Sequence, residues 1–287
     1  MVIQVMAVPC YCRRARAHTH THTHTALTEP WPQTQILTFT QYMCIFLVST
    51  SNLTFSPELT ARILSAWTPQ SNEELRAAIC ECVRRSSDCA KGPHGPIGSW
   101  DIDAVTDMNG LFILDPYTDA DLGPIPKAAE FNGDLSKWDV LNVINMNSMF
   151  QYASSFKADL SKWDVSSVTD MGSMFYRAKS FNADISKWDV SSVAEMNHMF
   201  AESQLFNADL SKWHVSSVND MGTMFGEATS FNADLSKWDV SSVTDMGSMF
   251  LATSFNADLS KWDVSSVTDM RSMFHFCLLY TSPSPRD

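Results

Sequence analysis

Three cysteines, Cys80, Cys82 and Cys89, form a cluster of reactive side chains in this sequence. They lack the paired C-x-x-C spacing of zinc sites. A catalytic thiol would need a neighbouring base, and only His94 is close in sequence. A disulfide from Cys89 to Cys80 or Cys82 is one interpretation if the protein is exported, and reduced structural thiols or a reactive thiol are the alternatives. We treat the three as disulfide candidates.

Two other stretches contain groups that bind metals. The alternating HTHTHTHT of residues 18–25 would place its histidines on one strand face, although a disordered tail or translated non-coding sequence explains it equally simply. Asp115, Asp119 and Asp121 lie in DPYTDAD, which lacks the Gly and Glu positions of a calcium-binding EF-hand loop. We predict a solvated loop there, no metal site and no cofactor.

No catalytic constellation is found in the rest of the chain. His198, His214 and His275 occupy unrelated positions of a repeated motif, so they do not form one site. The formal net charge of −12 argues against nucleic acid as a partner, because phosphate binding requires clustered Lys and Arg. This surface suits cations or basic partners. We predict that the protein is not an enzyme.

A tandem repeat dominates the sequence and must position every candidate group. The stretch FNADLSKWDVSSVTDMGSMF at residues 231–250 returns almost unchanged from residue 255. Six copies are separated by steps of 25 residues and a last step of 24, starting at Phe131, Phe156, Phe181, Phe206, Phe231 and Phe255. A fixed period in this range is typical of a solenoid, in which each repeat buries its apolar face against the next.

The apolar pattern changes period within one repeat. Residues 162–166 alternate polar and apolar, which predicts a short strand with Trp163 and Val165 facing inward. The apolar positions of residues 168–178 then follow the spacing of one helix face, and Asp170 lies in the predicted first turn. Each Trp from Trp138 to Trp262 is predicted to form a buried column whose N–H needs a partner.

The motif F-N-x-D-L-S-K-W-D-V-S-S-V-T-D-M-x-x-M-F resembles the repeat of the BspA-like leucine-rich-repeat surface proteins. The resemblance covers residues 131–274, with a shortened copy at 100–112. It implies an α/β, right-handed solenoid of leucine-rich-repeat type, with one short parallel strand and one short helix per 25-residue repeat. It also implies a secreted or cell-surface protein that functions in adhesion or binding. The ninth position of the ordinary repeat holds Asn, whereas Val occupies it here, so we do not assume an asparagine ladder.

Stacking of identical repeats would arrange polar groups in columns on one face. A lysine column and an aspartate column were expected to offset each other's charge across the face. We predict that this face binds a protein or a polysaccharide at the cell surface. A structural spacer that associates end to end, with or without calcium, is the alternative. The candidate binding residues are Lys162, Asp164, Ser166, Lys187, Asp189, Ser191, Lys212, His214, Ser216, Lys237, Asp239 and Ser241.

The remaining segments flank the repeats. Residues 1–55 are expected to be disordered, signal-like or mistranslated; within them, 36–48 is too short for a membrane span and could be a signal-peptide core, and Asn52 begins a glycosylation sequon. Residues 56–99 are predicted to form a helical N-terminal cap, and 100–130 a degenerate repeat with an inserted loop. Within the cap, Ser71 and Glu74 predict a capping box for a helix whose apolar side consists of Leu75, Ala78, Ile79, Cys82 and Val83. After the six repeats at 131–276, residues 277–287 match the translation of a sequencing adapter. We therefore expect further repeats or a cap beyond residue 276 and an uncovered last repeat.

Overall fold

A computed structural model describes residues 67–92, 94–113 and 128–277. The chain divides into two units, Met1–Ser65 and Ala66–Asp287, and all described residues belong to the second. Several predictions fall outside the described residues: the His–Thr run, the signal-like segment, the sequon at Asn52, most of the first cap helix, the DPYTDAD loop and the tail after Cys277.

The helix α1, Asn72–Arg85, precedes the repeats. Ser71 caps it: its hydroxyl accepts a bond from the Glu74 N–H at 3.2 Å, and the Glu74 carboxylate accepts from the Gln70 N–H at 2.9 Å. The Ser71 bond is the one expected of the predicted capping box, whereas the Glu74 carboxylate accepts from Gln70, one residue before the N-cap residue Ser71. The predicted apolar face is also buried, and it consists of Leu75, Ala78, Ile79, Cys82 and Val83. Two short 3₁₀ helices follow, at Ile97–Ser99 and Ala128–Glu130.

Side chains of α1 bond to the degenerate first copy. The Asn72 amide donates to the carbonyls of Asp107 and Asn109 at 3.0 and 3.1 Å, and the Arg76 guanidinium donates to Gly110 and Ile113 at 3.0 and 2.8 Å. In the later copies, the carbonyls that correspond to Asp107 and Asn109 accept N–H groups from the preceding copy. The helix thus supplies donors where no earlier repeat exists.

The strand expected in each repeat is absent from the described residues. Residues 162–166 form turns, in which the N–H groups of Trp163 and Val168 donate back to Leu160 and Val165 at 3.1 and 2.9 Å. Trp163 and Val165 are nevertheless buried, with Lys162 exposed, so the predicted facing of the side chains is confirmed. Alternating burial comes here from consecutive turns and not from a pleated strand.

The helix expected at residues 168–178 is also not formed. The N–H groups of Met174, Tyr176 and Ala178 donate to the carbonyls three residues earlier, at 3.0–3.2 Å. Those of Met171, Ser173 and Phe175 donate instead to the next repeat, at 2.8–2.9 Å. Ser173 and Arg177 have φ of 55° and 59°, which an α-helix does not allow. The apolar spacing looked helical because a chain of three-residue turns also returns side chains to one face about every third residue.

Successive repeats, which we call coils, are joined by isolated parallel bridges. One residue of each coil forms the bridge, in the order Asp107, Asn145, Asp170, Glu195, Asp220, Asp245 and Asp269. Around each bridge, every second N–H of one coil reaches a carbonyl of the next coil. The repeated pattern of two left-handed residues per coil, at the positions of Ser173 and Arg177, recurs from Ser148 to Phe276.

Aromatic rings fill the interior between coils. Trp163, Trp188, Trp213, Trp238 and Trp262 stack with centroids 6.4–6.5 Å apart and nearly parallel planes. Each indole N–H donates to a carbonyl of the preceding coil; that of Trp188, for example, reaches Leu160 at 3.1 Å. The prediction of a tryptophan column with a partner for its N–H is confirmed, with Trp262 only half-buried. Two phenylalanine columns run beside it, with centroid spacings of 5.5–5.8 Å and 5.9–6.1 Å between coils.

A ladder of asparagine side chains links the coils. It lies at a different position of the repeat from the Asn of the leucine-rich motif. The side-chain oxygen of Asn132 accepts the Lys157 N–H at 2.9 Å, and Asn182, Asn207 and Asn232 accept from the next coil at 2.7–2.9 Å. These residues follow the first Phe of each repeat, not the ninth position of the leucine-rich motif. Lys157 stands at the one rung of this ladder that has no asparagine.

Completing the ladder should stabilise the protein. Lys157→Asn would place an acceptor opposite the N–H of Asn182, which has no hydrogen-bond partner among the described residues. One net hydrogen bond contributes about 0.5–1.5 kcal/mol, so the free energy of unfolding should rise by about that amount. Denaturant unfolding measures this change. Lys179→Asn, at an exposed position outside the ladder, is the control, and equal stability of the two variants would contradict the ladder's contribution.

Candidate binding face

The predicted binding residues are accessible. The lysines Lys162, Lys187, Lys212 and Lys237 and the residues that follow the tryptophans, Asp164, Asp189, His214 and Asp239, are all exposed. The serines of the set are exposed at 191 and 216 and half-buried at 166 and 241. The predicted binding residues therefore lie on the surface, and each of the four coils contributes one Lys, one Asp or His and one Ser.

The aspartates of this set bond within their own turns. Asp164 accepts both the N–H and the hydroxyl of Ser166, at 3.1 and 2.6 Å, and Asp239 accepts the same two groups of Ser241. Bonding to the Ser241 hydroxyl and N–H lowers the pKa of Asp239. These aspartates hold a turn in shape, which is a structural task besides any binding one.

Among the described residues, no ion pair joins the lysine column to either of two aspartate columns, so the charge offset expected with the aspartates after the tryptophans stays a prediction. The second column consists of the N-A-D-L aspartates, which recur in every complete copy and were not among the predicted residues. The pKa of Asp184 in this column is lowered first by the Ser186 hydroxyl, then by the Ser186 N–H, with smaller contributions from Lys187 and Lys212. This column contains Asp134, Asp159, Asp184, Asp209, Asp234 and Asp258.

A second polar surface was not predicted. A groove of about 440 Å³ crosses four coils beside the bridges. Its lining includes Asn197, His198, Asp220, Asp245, Asp269 and Arg271. Its acids are the bridge residues of three successive coils, Asp220, Asp245 and Asp269, and the fourth coil contributes Asn197 and His198. The acid at this position of the repeat was predicted to lie in the first turn of a helix. The T-D-M tripeptide that recurs in the repeat could have indicated this surface, because it places an acid at the same position of several coils.

The bridge acids keep part of their bonding capacity. One oxygen of Asp220 accepts the Gly222 N–H at 2.8 Å, and one oxygen of Asp245 accepts the Gly247 N–H at 2.7 Å. Their other oxygens have no hydrogen bond to the described residues. A Cβ at Gly222 would lie 3.1 Å from an oxygen of Asp220 and 3.3 Å from one of Asp245, so glycine leaves room for both carboxylates.

The charges of this column influence one another. Burial raises the pKa of Glu195, and the neighbouring carboxylates of Asp220 and Asp170 raise it further. At the end of the column the Arg271 side chain and N–H lower the pKa of Asp269 to about 2. Like charges one coil apart repel, so an approaching cation would relieve this repulsion.

An aromatic and charged cluster interrupts the repetition near the groove. Arg177 pairs with both carboxylate oxygens of Glu202 at 2.8 Å, and the Tyr176 hydroxyl donates to Glu202 at 2.9 Å. The guanidinium lies over the rings of Tyr152 and Tyr176, 5.5 and 5.1 Å from their centroids. Tyr176 also meets His198 edge to face. These contacts join three successive coils and distinguish them from the other coils.

Among the described residues, no disulfide joins the three disulfide candidates. Cys80, Cys82 and Cys89 are all buried. A hydrogen bond with Cys82, together with burial, raises the pKa of Cys89, which keeps it a neutral thiol. Among the described residues, no group of three His, Cys, Asp or Glu side chains is arranged to hold a metal ion.

The N-A-D-L aspartates should make stability depend on acid pH. Their pKa values lie below the ordinary 3.8 in the folded state, so their contribution is present above the unfolded value and is lost as the pH falls through the folded one. Asp184→Asn, Asp209→Asn and Asp234→Asn together keep the turn acceptor and remove the titration.

The triple variant should lose less stability than the parent protein between about pH 4.5 and 2.5, as measured by thermal unfolding at each pH. Glu227→Gln, an exposed acid outside these turns, should leave the acid dependence unchanged. Identical acid profiles for the triple variant and the parent protein would contradict the assignment.

Comparison with known families matches this chain to one family model. Three overlapping segments, residues 84–206, 121–234 and 183–283, match the family described as Mycoplasma protein of unknown function, DUF285. Matches at staggered positions are those of a tandem repeat protein. No curated protein and no solved structure matches the sequence. Within the part of the chain that the structure describes, no helix has the length and apolar character needed to cross a bilayer.

Proposed function

This chain belongs to the DUF285 family of Mycoplasma proteins of unknown function, and from that premise we propose that it is a non-enzymatic repeat scaffold. In this proposal it binds an extended partner across several coils, in adhesion or recognition at the cell surface or in the secreted space. The surface location is supported by the tandem family match together with the resemblance to BspA-like surface proteins. The leucine-rich-repeat type of solenoid, with its right-handed course, is part of the same proposal.

One observation supports binding along the repeats above all others. The bridge acids Asp220, Asp245 and Asp269 present one carboxylate from each of three successive coils along a groove that crosses four coils. Parallel bridges space neighbouring chains about 4.8 Å apart, so the carboxylates recur at a regular interval. A partner with groups at a matching interval could bind several coils at once, and its affinity would increase with the number engaged.

The chemistry of the groove favours a basic protein segment as the partner. Asp220 and Asp245 each retain an oxygen without a hydrogen bond to the described residues, and each has a neighbouring bridge acid one coil away. Lys or Arg side chains of an extended segment would supply the missing donors and reduce the repulsion. A neutral polysaccharide would do neither, and it is the alternative partner that the experiment must separate.

Two triple variants separate the groove from the face predicted by sequence. Asp220→Asn, Asp245→Asn and Asp269→Asn remove the groove charges while keeping the oxygen that accepts the turn N–H. Asp164→Asn, Asp189→Asn and Asp239→Asn do the same on the other face, with the same change in net charge. Short polylysine and a neutral glucan are the two probes, and isothermal titration calorimetry measures the affinity.

The groove variant should bind polylysine about tenfold more weakly, because each exposed ion pair contributes about 0.2–1 kcal/mol. The other variant should keep most of its affinity, and binding should weaken as salt is added. Equal losses in both variants would point to net charge alone and reject the groove. Glucan binding without polylysine binding would replace the basic partner with a polysaccharide.

A further inference from the structure

The open carboxylates of the groove form a short run with a cation at one end. Asp220 and Asp245 each keep an oxygen without a hydrogen bond to the described residues. In the coil after that of Asp245, the Arg271 side chain donates to the carboxylate of Asp269 at 2.6–3.1 Å. Asp269 is therefore neutralised within its own coil, and a basic partner would meet a positive charge at this end.

The other end of the groove is aromatic. His198 lines the groove and is exposed, at a position where the neighbouring coils carry Ser173 and Thr223. Its ring meets that of Tyr176 edge to face, with centroids 6.3 Å apart. Tyr176 occupies a position at which the next coil has the small residue Ala201. The two ends of the groove thus differ, with aromatic rings at one and a cation at the other.

The Tyr176 ring is held in place by its neighbours. Its hydroxyl donates to Glu202 at 2.9 Å, and the Arg177 guanidinium, itself paired with Glu202, lies 5.1 Å from the ring centroid. A side chain fixed in this way loses little further conformational freedom when a partner packs beside it. The aromatic end is therefore a preformed contact surface next to the open carboxylates.

We propose that the aromatic end, formed by His198 and Tyr176, binds an aromatic side chain of the basic segment and thereby fixes which coils that segment occupies. The inference rests on the proposed function, because the basic residues of the same segment must reach Asp220 and Asp245. Carboxylates that recur at one interval discriminate poorly between positions one coil apart, whereas a ring at one end favours a single position. Aromatic pairs also contribute binding free energy beyond the area that they bury.

Two blocked peptides of equal charge test the proposal by isothermal titration calorimetry with the full chain. Both contain four lysines, followed by Trp in the first peptide and by Ala in the second. The parent protein should bind the Trp peptide about two- to tenfold more tightly than the Ala peptide. His198→Ser and Tyr176→Ala should each remove most of this gain and leave the affinity for the Ala peptide little changed.

Both variants introduce residues that other coils carry at the same positions. Ser173 has the same left-handed conformation as His198, with φ of 55° and 57°, so His198→Ser should fold like the parent protein. Gln151→Ala, in the column of Tyr176 but in a coil that the groove does not reach, is the control and should keep the gain. A gain that survives both His198→Ser and Tyr176→Ala would overturn the proposal.

The position of the peptide ring can be measured directly. Arg271→Asn should keep the gain, and its loss in that variant alone would place the ring at the cationic end and overturn the proposal. A peptide with p-benzoylphenylalanine in place of Trp should form photocrosslinks to the coil of His198 and the coils beside it. Crosslinks confined to the coil of Arg271 would contradict the proposed position.

The Ala peptide distinguishes failure of this inference from failure of the proposed function. If the groove variant of Asp220, Asp245 and Asp269 binds the Ala peptide more weakly than the parent protein does, but Trp adds nothing, only the aromatic contact is rejected. If neither peptide binds, the proposed function is rejected together with the inference.

Discussion

Every coil depends on the division of its backbone N–H groups between two sets of acceptors. In the segment from Met171 to Ala178, alternate groups bond within the coil to the residue three earlier, and the others bond to the next coil. Neither set is sufficient for a folded coil by itself. A buried N–H without an acceptor costs about as much as a lost hydrogen bond, so the neighbouring coil is an essential part of each coil's structure.

This constraint explains the contents of the interior. Trp188 must lie flat against Trp163 and Trp213 because its N–H reaches a carbonyl of the preceding coil while its ring fills the space between coils. It also explains why α1 is joined to the repeats by polar side chains. Asn72 and Arg76 meet carbonyls that any other coil would satisfy with backbone. Packing and hydrogen bonding therefore fix the same spacing between coils.

The side-chain environment could be predicted from the sequence better than the backbone could. Burial of Trp163 and Val165 followed from their apolar character and their alternation with Lys162, and α1 followed from Ser71, Glu74 and its apolar face. The helix at residues 168–178 was wrong because three-residue turns and helices give similar apolar spacing. Nothing in the identity of Ser173 or Arg177 indicates the left-handed conformation that separates the two structures.

Contacts between coils were the hardest to predict. The asparagine ladder and the influence of Lys212 on the pKa of Asp184 depend on which residues of neighbouring coils become adjacent. That register is a property of the stack, and a single repeat does not contain it. The groove was missed for the same reason, since its carboxylates are brought together only by the bridges.

The two left-handed residues of each coil have a consequence for how such a protein can change in length. Each non-glycine residue in this conformation costs about 1–2 kcal/mol, and every coil from Ser148 onward contains the same pair of positions. The backbone strain and the contacts between coils therefore both increase in proportion to the number of coils. Loss or duplication of one whole unit in the gene would leave each remaining junction as it was, so variation in the number of units encounters little energetic resistance.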